Sequence, residues 1–170
     1  MPYSIEIKEA TKSDAPAILE IMKDAFAKYE RDLGMQGHVT ALKETVEDIE
    51  KDIEEQTVLI GFVNGEAVGS VRVEILGDLA YLSRFGVKSA NTKSGLGGLL
   101  IHEVETICRE QSVRAIALHT SSRMFGLIRF YYGHGYFIHS TATDRGYIRA
   151  LLVHELELPG SYDLTPIMDR

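Results

Sequence analysis

The chain has 170 residues, of which 45% are hydrophobic, and a formal net charge of -7 at pH 7. This size and apolar content predict one domain over residues 1–170 with a single core, and the negative charge argues against nucleic-acid binding, which needs a basic surface. Because no apolar run is long enough to span a membrane and the N-terminus lacks a signal-peptide pattern, we expect a cytoplasmic protein that does not associate with membranes.

The first third of the chain predicts a strand followed by two helices. Alternating residues at 4–9 indicate the strand, and apolar residues from Ile18 to Tyr29 recur at helical spacing. The next stretch, 40–55, predicts an amphipathic helix with an acidic outer face. That face is either a solvated helix surface or an acidic rim that attracts a cationic substrate. Its acidic residues are Glu44, Glu47, Asp48, Glu50, Asp52, Glu54 and Glu55.

The rest of the chain alternates strands and helices after a hairpin. Two β-rich segments, 57–63 and 67–75, are joined by Asn64-Gly65, which indicates a type I′ turn. A third strand ends at Val87. The remaining pattern predicts a helix at 95–111, a strand at 113–119, a short helix at 122–132 and strands at 136–140 and 147–156. The order β-α-α-β-β-β-α-β-α-β-β predicts an α/β (α+β) fold with a mixed sheet.

A glycine-rich turn, Gly95-Leu96-Gly97-Gly98, stands between a strand and a helix. Such a turn aims backbone N–H groups and the positive end of a helix dipole at one point, which suits a phosphate or pyrophosphate. The P-loop and the dinucleotide fingerprint are excluded, because Asn91 and Leu100 stand where these motifs need glycine. The other interpretation is that the glycines only turn the chain.

Two segments stand out on the predicted elements: residues 92–97 (TKSGLG), which follow the strand-ending Val87, and residues 130–136 (FYYGHGY). They resemble motifs of the GNAT superfamily of acyl-CoA-dependent N-acyltransferases. The first is similar to the acyl-CoA signature of the superfamily, which follows a strand-ending valine, and the second is similar to its second motif. The likeness extends over about residues 4–156 and implies a single GNAT-like domain with a splayed central sheet.

The resemblance implies an N-acetyltransferase that moves an acetyl group from acetyl-CoA to a primary amine in a ternary complex, without a metal. Tyr131 matches the general acid of the family, which protonates the leaving thiolate; the other interpretation of Tyr131 is simple packing. The backbone of the strand end, with Gly86 as the bulge residue, would bind the thioester and pantetheine, and the turn would bind the pyrophosphate. The implied cofactor-binding residues are Phe85, Gly86, Val87, Thr92, Lys93, Ser94, Gly95, Leu96, Gly97 and Gly98.

The sequence departs from the family pattern at three places. Thr92 replaces an Arg or Gln, so Lys93 or Lys88 would have to supply the missing cation, and Met124 stands where Asn is common. Tyr81 and Ser83 stand where better-studied members carry a general base. The candidate bases are Glu74, Asp78, His119, His134 and a water chain ending at the backbone or at Ser83. These departures leave a catalytically weak acyl-CoA-binding sensor, or a purely structural domain, as alternatives.

Two further expectations concern cations and assembly. Arg84 and Arg149 either orient an acidic group of the substrate or are simple surface cations. The last strand, at 147–153, carries more apolar residues than an exposed edge strand should. Together with the common dimerisation of the family, this predicts a homodimer.

Overall fold

The computed structural model describes residues 3–35, 37, 39–158 and 161–170. Its elements follow the predicted order. The strands are β1 (Ile5–Glu9), β2 (Thr57–Val63), β3 (Glu66–Leu76), β4 (Leu79–Val87), β5 (Ala115–Ser121), β6 (Phe137–Ala142) and β7 (Arg149–Glu155), and the α-helices are α1 (Ala15–Leu33), α2 (Val46–Glu55), α3 (Leu96–Glu110) and α4 (Phe125–Gly133). In this part of the chain, no helix is both long and apolar enough to cross a membrane.

The strands form one open mixed sheet in the order β1-β2-β3-β4-β5-β7-β6, which confirms the predicted fold class. The β2–β3 hairpin turns at Asn64 (φ 50) and Gly65 (φ 83), as the type I′ prediction requires. Strands β4 and β5 pair in parallel through Leu79–Tyr81 and Ala115–Ala117. Strand β4 continues for six more residues to Val87.

The chain divides into two compact units. The first contains Met1–Val73 and Arg84–Ile101, and the second contains Glu74–Ser83 and His102–Arg170. Each unit has its own apolar cluster. The first cluster includes Ile18, Ile49 and Ile60, and the second includes Leu79, Ala117 and Ile167. The single domain over residues 1–170 stays a prediction.

Strand β7 is an interior strand of the second unit. It pairs with β5 on one side and with β6 on the other, and its first five residues, 149–153, are buried. The reason given for a homodimer is therefore wrong, because the neighbouring strands bury the apolar residues that were expected at an edge. The homodimer itself stays a prediction.

The acidic helix begins six residues later than predicted. Residues Thr40–Lys43 form a short 3-10 helix, and Glu44 is extended, with ψ 147. Thr45 caps α2: its hydroxyl accepts from the Asp48 N–H at 3.2 Å, and the Asp48 carboxylate accepts from the Thr45 N–H at 2.9 Å. This reciprocal capping box sets the start of α2, and Glu44 lies outside the helix.

Arg72 of β3 is a buried cation in the first unit. Its side chain is 0% exposed and donates from one terminal nitrogen to Glu44 Oε2 and Asp52 Oδ2, each at 2.7 Å. Its other terminal nitrogen donates to Glu44 Oε1 at 2.8 Å, and Arg84 Nε donates to Glu44 Oε2 at 3.2 Å. Two of the seven acids are thus bound by arginines of the protein. Glu44 and Asp52 therefore belong neither to a solvated helix surface nor to an acidic rim that is free to attract a cationic substrate.

The ionisation of Glu44 depends on this network. Burial alone would raise the pKa of Glu44, but the hydrogen bond and charge of Arg72, followed by those of Arg84, outweigh it and lower that pKa below its ordinary value. The carboxylate is therefore ionised in the folded protein at neutral pH.

Two glycines in the β2–β3 hairpin make room for the first residue of α3. Gly61 and Gly69 are opposite each other in the antiparallel register. A Cβ on Gly61 would lie 2.7 Å from Leu96 Cδ1, and a Cβ on Gly69 would lie 2.7 Å from Leu96 Cδ2. Leu96 is 0% exposed, so its packing fixes the start of α3 against the hairpin.

Substitution Gly61→Ala should lower the free energy of unfolding by about 1–3 kcal/mol, because the added methyl group needs space that Leu96 fills. Gly126→Ala is the matched control, since a Cβ at Gly126 meets no heavy atom within 4 Å. Urea unfolding of both variants measures the difference. Wild-type stability in Gly61→Ala would contradict the packing described for Leu96.

Substitution Glu44→Gln should lower the free energy of unfolding at pH 7 by about 3 kcal/mol, because Arg72 loses its bidentate partner. The folded-state pKa of Glu44 is lowered, so its ionisation stabilises the protein above the unfolded pKa, and this contribution disappears as the pH falls through the folded pKa. Wild-type stability should therefore drop more steeply below about pH 4 than that of the variant.

The control for this experiment is Glu47→Gln, which neutralises an exposed acid of the same segment. Urea titrations at neutral and acidic pH compare the three proteins. If Glu44→Gln and Glu47→Gln have the same stability and the same pH dependence, Glu44 does not hold Arg72 as described.

Candidate active site

Strand β4 contains a residue in the left-handed backbone region. Arg84 has φ 51, which is uncommon for a residue other than glycine and marks an irregularity in the strand. The irregularity was expected at Gly86, but Gly86 has no positive φ. A Cβ on Gly86 would lie 2.8 Å from Ala25 Cβ, so this glycine serves the close approach of α1 instead. The strained residue is Arg84, and Glu44 binds its guanidinium.

The turn from Thr92 to Gly98 leads directly into α3. Gly95 has φ 89, and a Cβ there would meet no heavy atom within 4 Å, so its backbone conformation and not its surroundings requires glycine. The Ser94 N–H donates to the Asn91 carbonyl at 3.0 Å, and the Leu96 N–H donates to Ser94 Oγ at 3.2 Å. These bonds fix the turn from within, and they use two of the N–H groups that were expected to face a ligand.

Four other backbone N–H groups of this turn remain available. Those of Lys93, Gly95, Gly97 and Gly98 donate to no acceptor within the ranges that the structure describes. They lie at the beginning of a 15-residue helix, where unpaired N–H groups and the helix dipole together favour an anion. The turn thus has four unpaired N–H donors in place of a continuous run, and pyrophosphate binding by residues 92–98 stays a prediction. The Leu96 side chain belongs to the core.

The cations near the turn differ in their partners. Lys88 Nζ lies 4.0 Å from Glu66 Oε1. Lys93 is exposed and forms no ion pair with any residue the structure describes. Thr92, which stands at the signature's Arg or Gln position, donates its hydroxyl to the Ser89 carbonyl at 3.3 Å. Lys88 and Lys93 were the two cations expected to replace the Arg or Gln of the signature. Of these, Lys93 has no acidic partner among the described residues.

The two adjacent tyrosines of α4 have different surroundings in the second unit. Tyr131 is 4% exposed, and its ring centroid lies 5.4 Å from that of Phe130 and 5.5 Å from that of Tyr136. Tyr132 is 50% exposed, and its hydroxyl accepts from the Ile138 N–H at 3.0 Å. Tyr132 thus links α4 to β6, whereas Tyr131 lies in an aromatic cluster.

This aromatic cluster contains a hydroxyl that the sequence analysis did not single out. Tyr136 Oη is buried and has no hydrogen-bond partner among the described residues. Burial, followed by the neighbouring Tyr131 and Cys108, raises the pKa of Tyr136 well above its ordinary value. Burial also raises the pKa of the Cys108 thiol to about 12, so this cysteine stays protonated at neutral pH.

A tyrosine and a histidine of the second unit are hydrogen-bonded to each other. Tyr81 Oη of β4 lies 2.7 Å from His119 Nδ1 of β5. Tyr81 is opposite Ala117 in the parallel register. His119 lies two residues after Ala117 in β5, so its side chain is on the same face of the sheet as that of Tyr81. Burial, followed by the charge of Arg149, lowers the pKa of His119 to about 4, so the imidazole is neutral at pH 7.

Three other candidate bases have partners of their own. The Glu74 carboxylate is paired with the Arg170 guanidinium. Asp78 Oδ2 lies 3.7 Å from Arg114 Nε. The His134 ring stacks near Phe130, with 4.6 Å between the ring centroids. His119 differs from these three candidates, because its imidazole is hydrogen-bonded to the Tyr81 hydroxyl.

Arg84 and Arg149 are not simple surface cations. Arg149 has a side chain that is 7% exposed, donates to Asp144 Oδ2 at 3.2 Å and donates to the Arg170 main-chain oxygen at 3.0 Å. Arg84 is bound by Glu44. In the described part of the chain, no group of His, Cys, Asp and Glu side chains is arranged to hold a metal ion.

Comparison with known proteins places this fold and its turn in a family. The family model described as acetyltransferase (GNAT) family matches residues 17–136. No curated protein sequence matches the chain.

The solved structures similar to this fold include several acetyltransferases. PaiA N-acetyltransferase from Thermoplasma acidophilum, in complex with coenzyme A, has a TM-score of 0.79 at 18% identity over 89% of this chain and 99% of its own. The ribosomal-protein-S18-alanine N-acetyltransferase from Escherichia coli has a TM-score of 0.75 at 16% identity over 94% of this chain and 99% of its own. Ard1 from Thermoplasma volcanium has a TM-score of 0.72 at 20% identity over 90% of this chain and 98% of its own.

Because the sequence identities to these three structures are 20% or lower, the structural similarity shows the fold alone. The family model matches more than half of the sequence, including both segments that resemble the superfamily motifs. The chain belongs to the GNAT family of acetyltransferases.

Proposed function

We propose that this protein transfers an acetyl group from acetyl-CoA to a primary amine, on a small molecule or a protein, by direct attack in a ternary complex. The observation that carries the proposal is the group of four unpaired N–H groups at the start of α3. Membership of the GNAT family supports acyl transfer, and the similar PaiA enzyme was solved with coenzyme A. The reaction as proposed uses no metal.

The donor would be held mainly by backbone groups. In the proposal, the N–H groups of Lys93, Gly95, Gly97 and Gly98 bind the pyrophosphate, and the Lys93 ammonium adds a positive charge. Ser94 and Leu96 act by holding the turn in shape.

The end of β4 has the second role in donor binding. The backbone of residues 85–87 binds the pantetheine amides and polarises the thioester carbonyl, as the family resemblance implies. The strained residue directly before this segment, Arg84, would set the direction of these groups.

The chemical step exchanges a C–S bond for a C–N bond. The neutral amine nitrogen attacks the acetyl carbonyl carbon, the C–S bond breaks with its electron pair on sulfur, and Tyr131 gives the thiolate a proton. The acylated nitrogen then loses a proton, which restores the Tyr131 hydroxyl. An ordinary thiol has a pKa of about 8.5 and tyrosine one of about 10, so this proton transfer is uphill by only about 2 kcal/mol. We assign this proton to Tyr131 and not to Tyr132, because Tyr131 matches the general acid of the family within the motif at residues 130–136.

A second function, an acyl-CoA-binding sensor with weak catalysis, has one observation in its favour. The Thr92 hydroxyl donates to the Ser89 carbonyl, so its proton is turned away from any ligand of the turn. Such a protein would bind coenzyme A without rapid turnover.

A panel of amines separates the two functions. Acetyl-CoA is incubated with spermidine, free amino acids and peptides with a free N-terminus, and the release of free thiol is followed. Amine-dependent thiol release supports the transferase. Coenzyme A binding without turnover on any amine would favour the sensor, and the absence of binding would contradict both.

Substitution Gly95→Val should abolish coenzyme A binding, because valine disfavours φ 89 and its side chain would occupy the space beside the free N–H groups. Gly77→Val is the matched control: Gly77 also has a positive φ (69) and open surroundings, but it lies in the β3–β4 turn. Calorimetric titration with coenzyme A measures affinity, and circular dichroism checks folding. A folded Gly95→Val with wild-type affinity would contradict the proposed donor site.

Substitution Tyr131→Phe should lower kcat by about 10²–10⁴, the usual contribution of a positioned acid, and leave the KM for acetyl-CoA nearly unchanged. Tyr132→Phe removes the neighbouring hydroxyl and should retain most of the activity. Steady-state kinetics on the best amine compare the two variants. A kcat for Tyr131→Phe within about threefold of wild type would show that water protonates the thiolate.

A further inference from the structure

We propose that Tyr3 is a positioning residue of the donor site: its hydroxyl holds the Ser94 carbonyl and thereby keeps backbone N–H groups of the glycine-rich turn free for the pyrophosphate of acetyl-CoA. This role rests on the proposed function, and Tyr3 lies outside both segments that resemble the family motifs. Three features of the first unit support it: the contact between Tyr3 and the turn, the backbone geometry of the turn, and the anchoring of the segment that carries Tyr3.

The contact joins the segment before β1 to the glycine-rich turn. Tyr3 Oη donates to the Ser94 main-chain oxygen at 3.1 Å, although the two residues are 91 positions apart in the sequence. The described part of the chain gives this oxygen no other donor. Because the Tyr3 ring is 57% exposed, the hydroxyl makes the specific part of this contact.

The Ser94 carbonyl is the group that could close the free N–H groups of the turn. In a regular α-helix it would accept from the Gly98 N–H, four residues later. It does not, and the Gly98 N–H donates to no acceptor in the ranges that the structure describes. The hydroxyl of Tyr3 holds the carbonyl instead.

The direction of the same carbonyl also sets the direction of a second donor. A trans peptide unit is planar, so the Ser94 carbonyl and the Gly95 N–H point in opposite directions. By holding the carbonyl on one side of the turn, Tyr3 directs the Gly95 N–H to the other side. Two of the four unpaired donors thus depend on this one hydrogen bond.

The segment that carries Tyr3 is anchored to the β2–β3 hairpin. The Ser4 N–H donates to Asn64 Oδ1 at 3.0 Å, and the Asn64 N–H donates to the Ser4 carbonyl at 2.8 Å. The same hairpin holds Leu96 at the start of α3. Both ends of the contact between Tyr3 and Ser94 are therefore attached to one element, which preorganises the turn for a ligand.

The pyrophosphate is the part of the donor that this arrangement would recognise. Free N–H groups at a helix start favour an anion, whereas the acetyl group and the pantetheine amides are neutral. Loss of the Tyr3 hydroxyl should therefore weaken donor binding through the pyrophosphate and leave the chemical step unchanged.

The test compares Tyr3→Phe with wild type in calorimetric titration with coenzyme A and in acetyl transfer to the best amine of the panel. The Kd for coenzyme A and the KM for acetyl-CoA should rise about 3- to 10-fold, the usual contribution of one hydrogen bond, with kcat unchanged. With S-acetylpantetheine, a donor that lacks the pyrophosphate, the kcat/KM of the variant should equal that of wild type.

Tyr132→Phe is the matched control. Tyr132 is similarly exposed, at 50%, and its hydroxyl is also bonded to a main-chain group, the Ile138 N–H. Its affinity for coenzyme A, and the ratio of its kcat/KM values for the two donors, should equal those of wild type. Circular dichroism and urea unfolding show that both variants remain folded.

Amide hydrogen exchange gives a readout that does not depend on activity. In wild type, the Gly98 N–H should exchange as an unbonded amide. In Tyr3→Phe its exchange should slow, because the released Ser94 carbonyl can accept from it. Equal exchange of Gly98 in the two proteins would overturn the inference.

The binding and kinetic outcomes separate this inference from the proposed function. An active wild type whose Tyr3→Phe variant keeps full affinity for coenzyme A, or loses the same factor with S-acetylpantetheine, would overturn the inference and leave the proposed function standing. A wild type that binds no coenzyme A would overturn both.

Discussion

The buried guanidinium of Arg72 is the interaction on which the first unit depends. A buried arginine is tolerated only when its charge is matched, and here Glu44 and Asp52 accept three hydrogen bonds from its two terminal nitrogens, while its Nε has no partner among the described residues. These bonds tie β3 to α2 and to the residue that precedes the α2 cap. Since removal of Glu44 would leave the buried Arg72 without its bidentate partner, the segment before α2 is held at a fixed place along the strand.

The same network reaches the strained residue of β4. Glu44 binds Arg84 as well as Arg72, and Arg84 has the left-handed backbone that precedes residues 85–87. Strain of this kind persists only where surrounding contacts enforce it. A second anchor, the packing of Leu96 on Gly61 and Gly69, fixes the start of α3. The backbone groups proposed to bind the donor are thus supported by rigid elements, as preorganised binding requires.

Much of the fold could be predicted from the sequence, because its signals are local. Asn64-Gly65 forms the expected hairpin turn, and the glycine-rich turn leads into a helix as expected. The start of α2 was placed too early, because apolar spacing continued through 40–45 although Thr45 and Asp48 carried the pattern of a capping box. Strand β7 was taken for an edge because sheet order does not follow chain order.

The rest of the candidate site depends on contacts between distant residues. Arg72 stands in an apolar strand, which was the available signal for a buried ion pair, but its acidic partners could be chosen only from the fold. The irregularity of β4 lies at Arg84, whereas Gly86 allows the close approach of α1. Tyr81 and His119 were each noted in the sequence, but only the parallel register joins them.

The central claim is that the acetyl group of acetyl-CoA passes to an amine nitrogen on this protein. The most direct measurement follows acetyl-CoA with an isotope-labelled carbonyl carbon by NMR, in the presence of the protein and the best amine of the panel. The account predicts that the thioester carbonyl signal decays as an amide carbonyl signal of equal intensity grows. Decay into acetate, or a thioester signal that persists at the rate seen without protein, would contradict it.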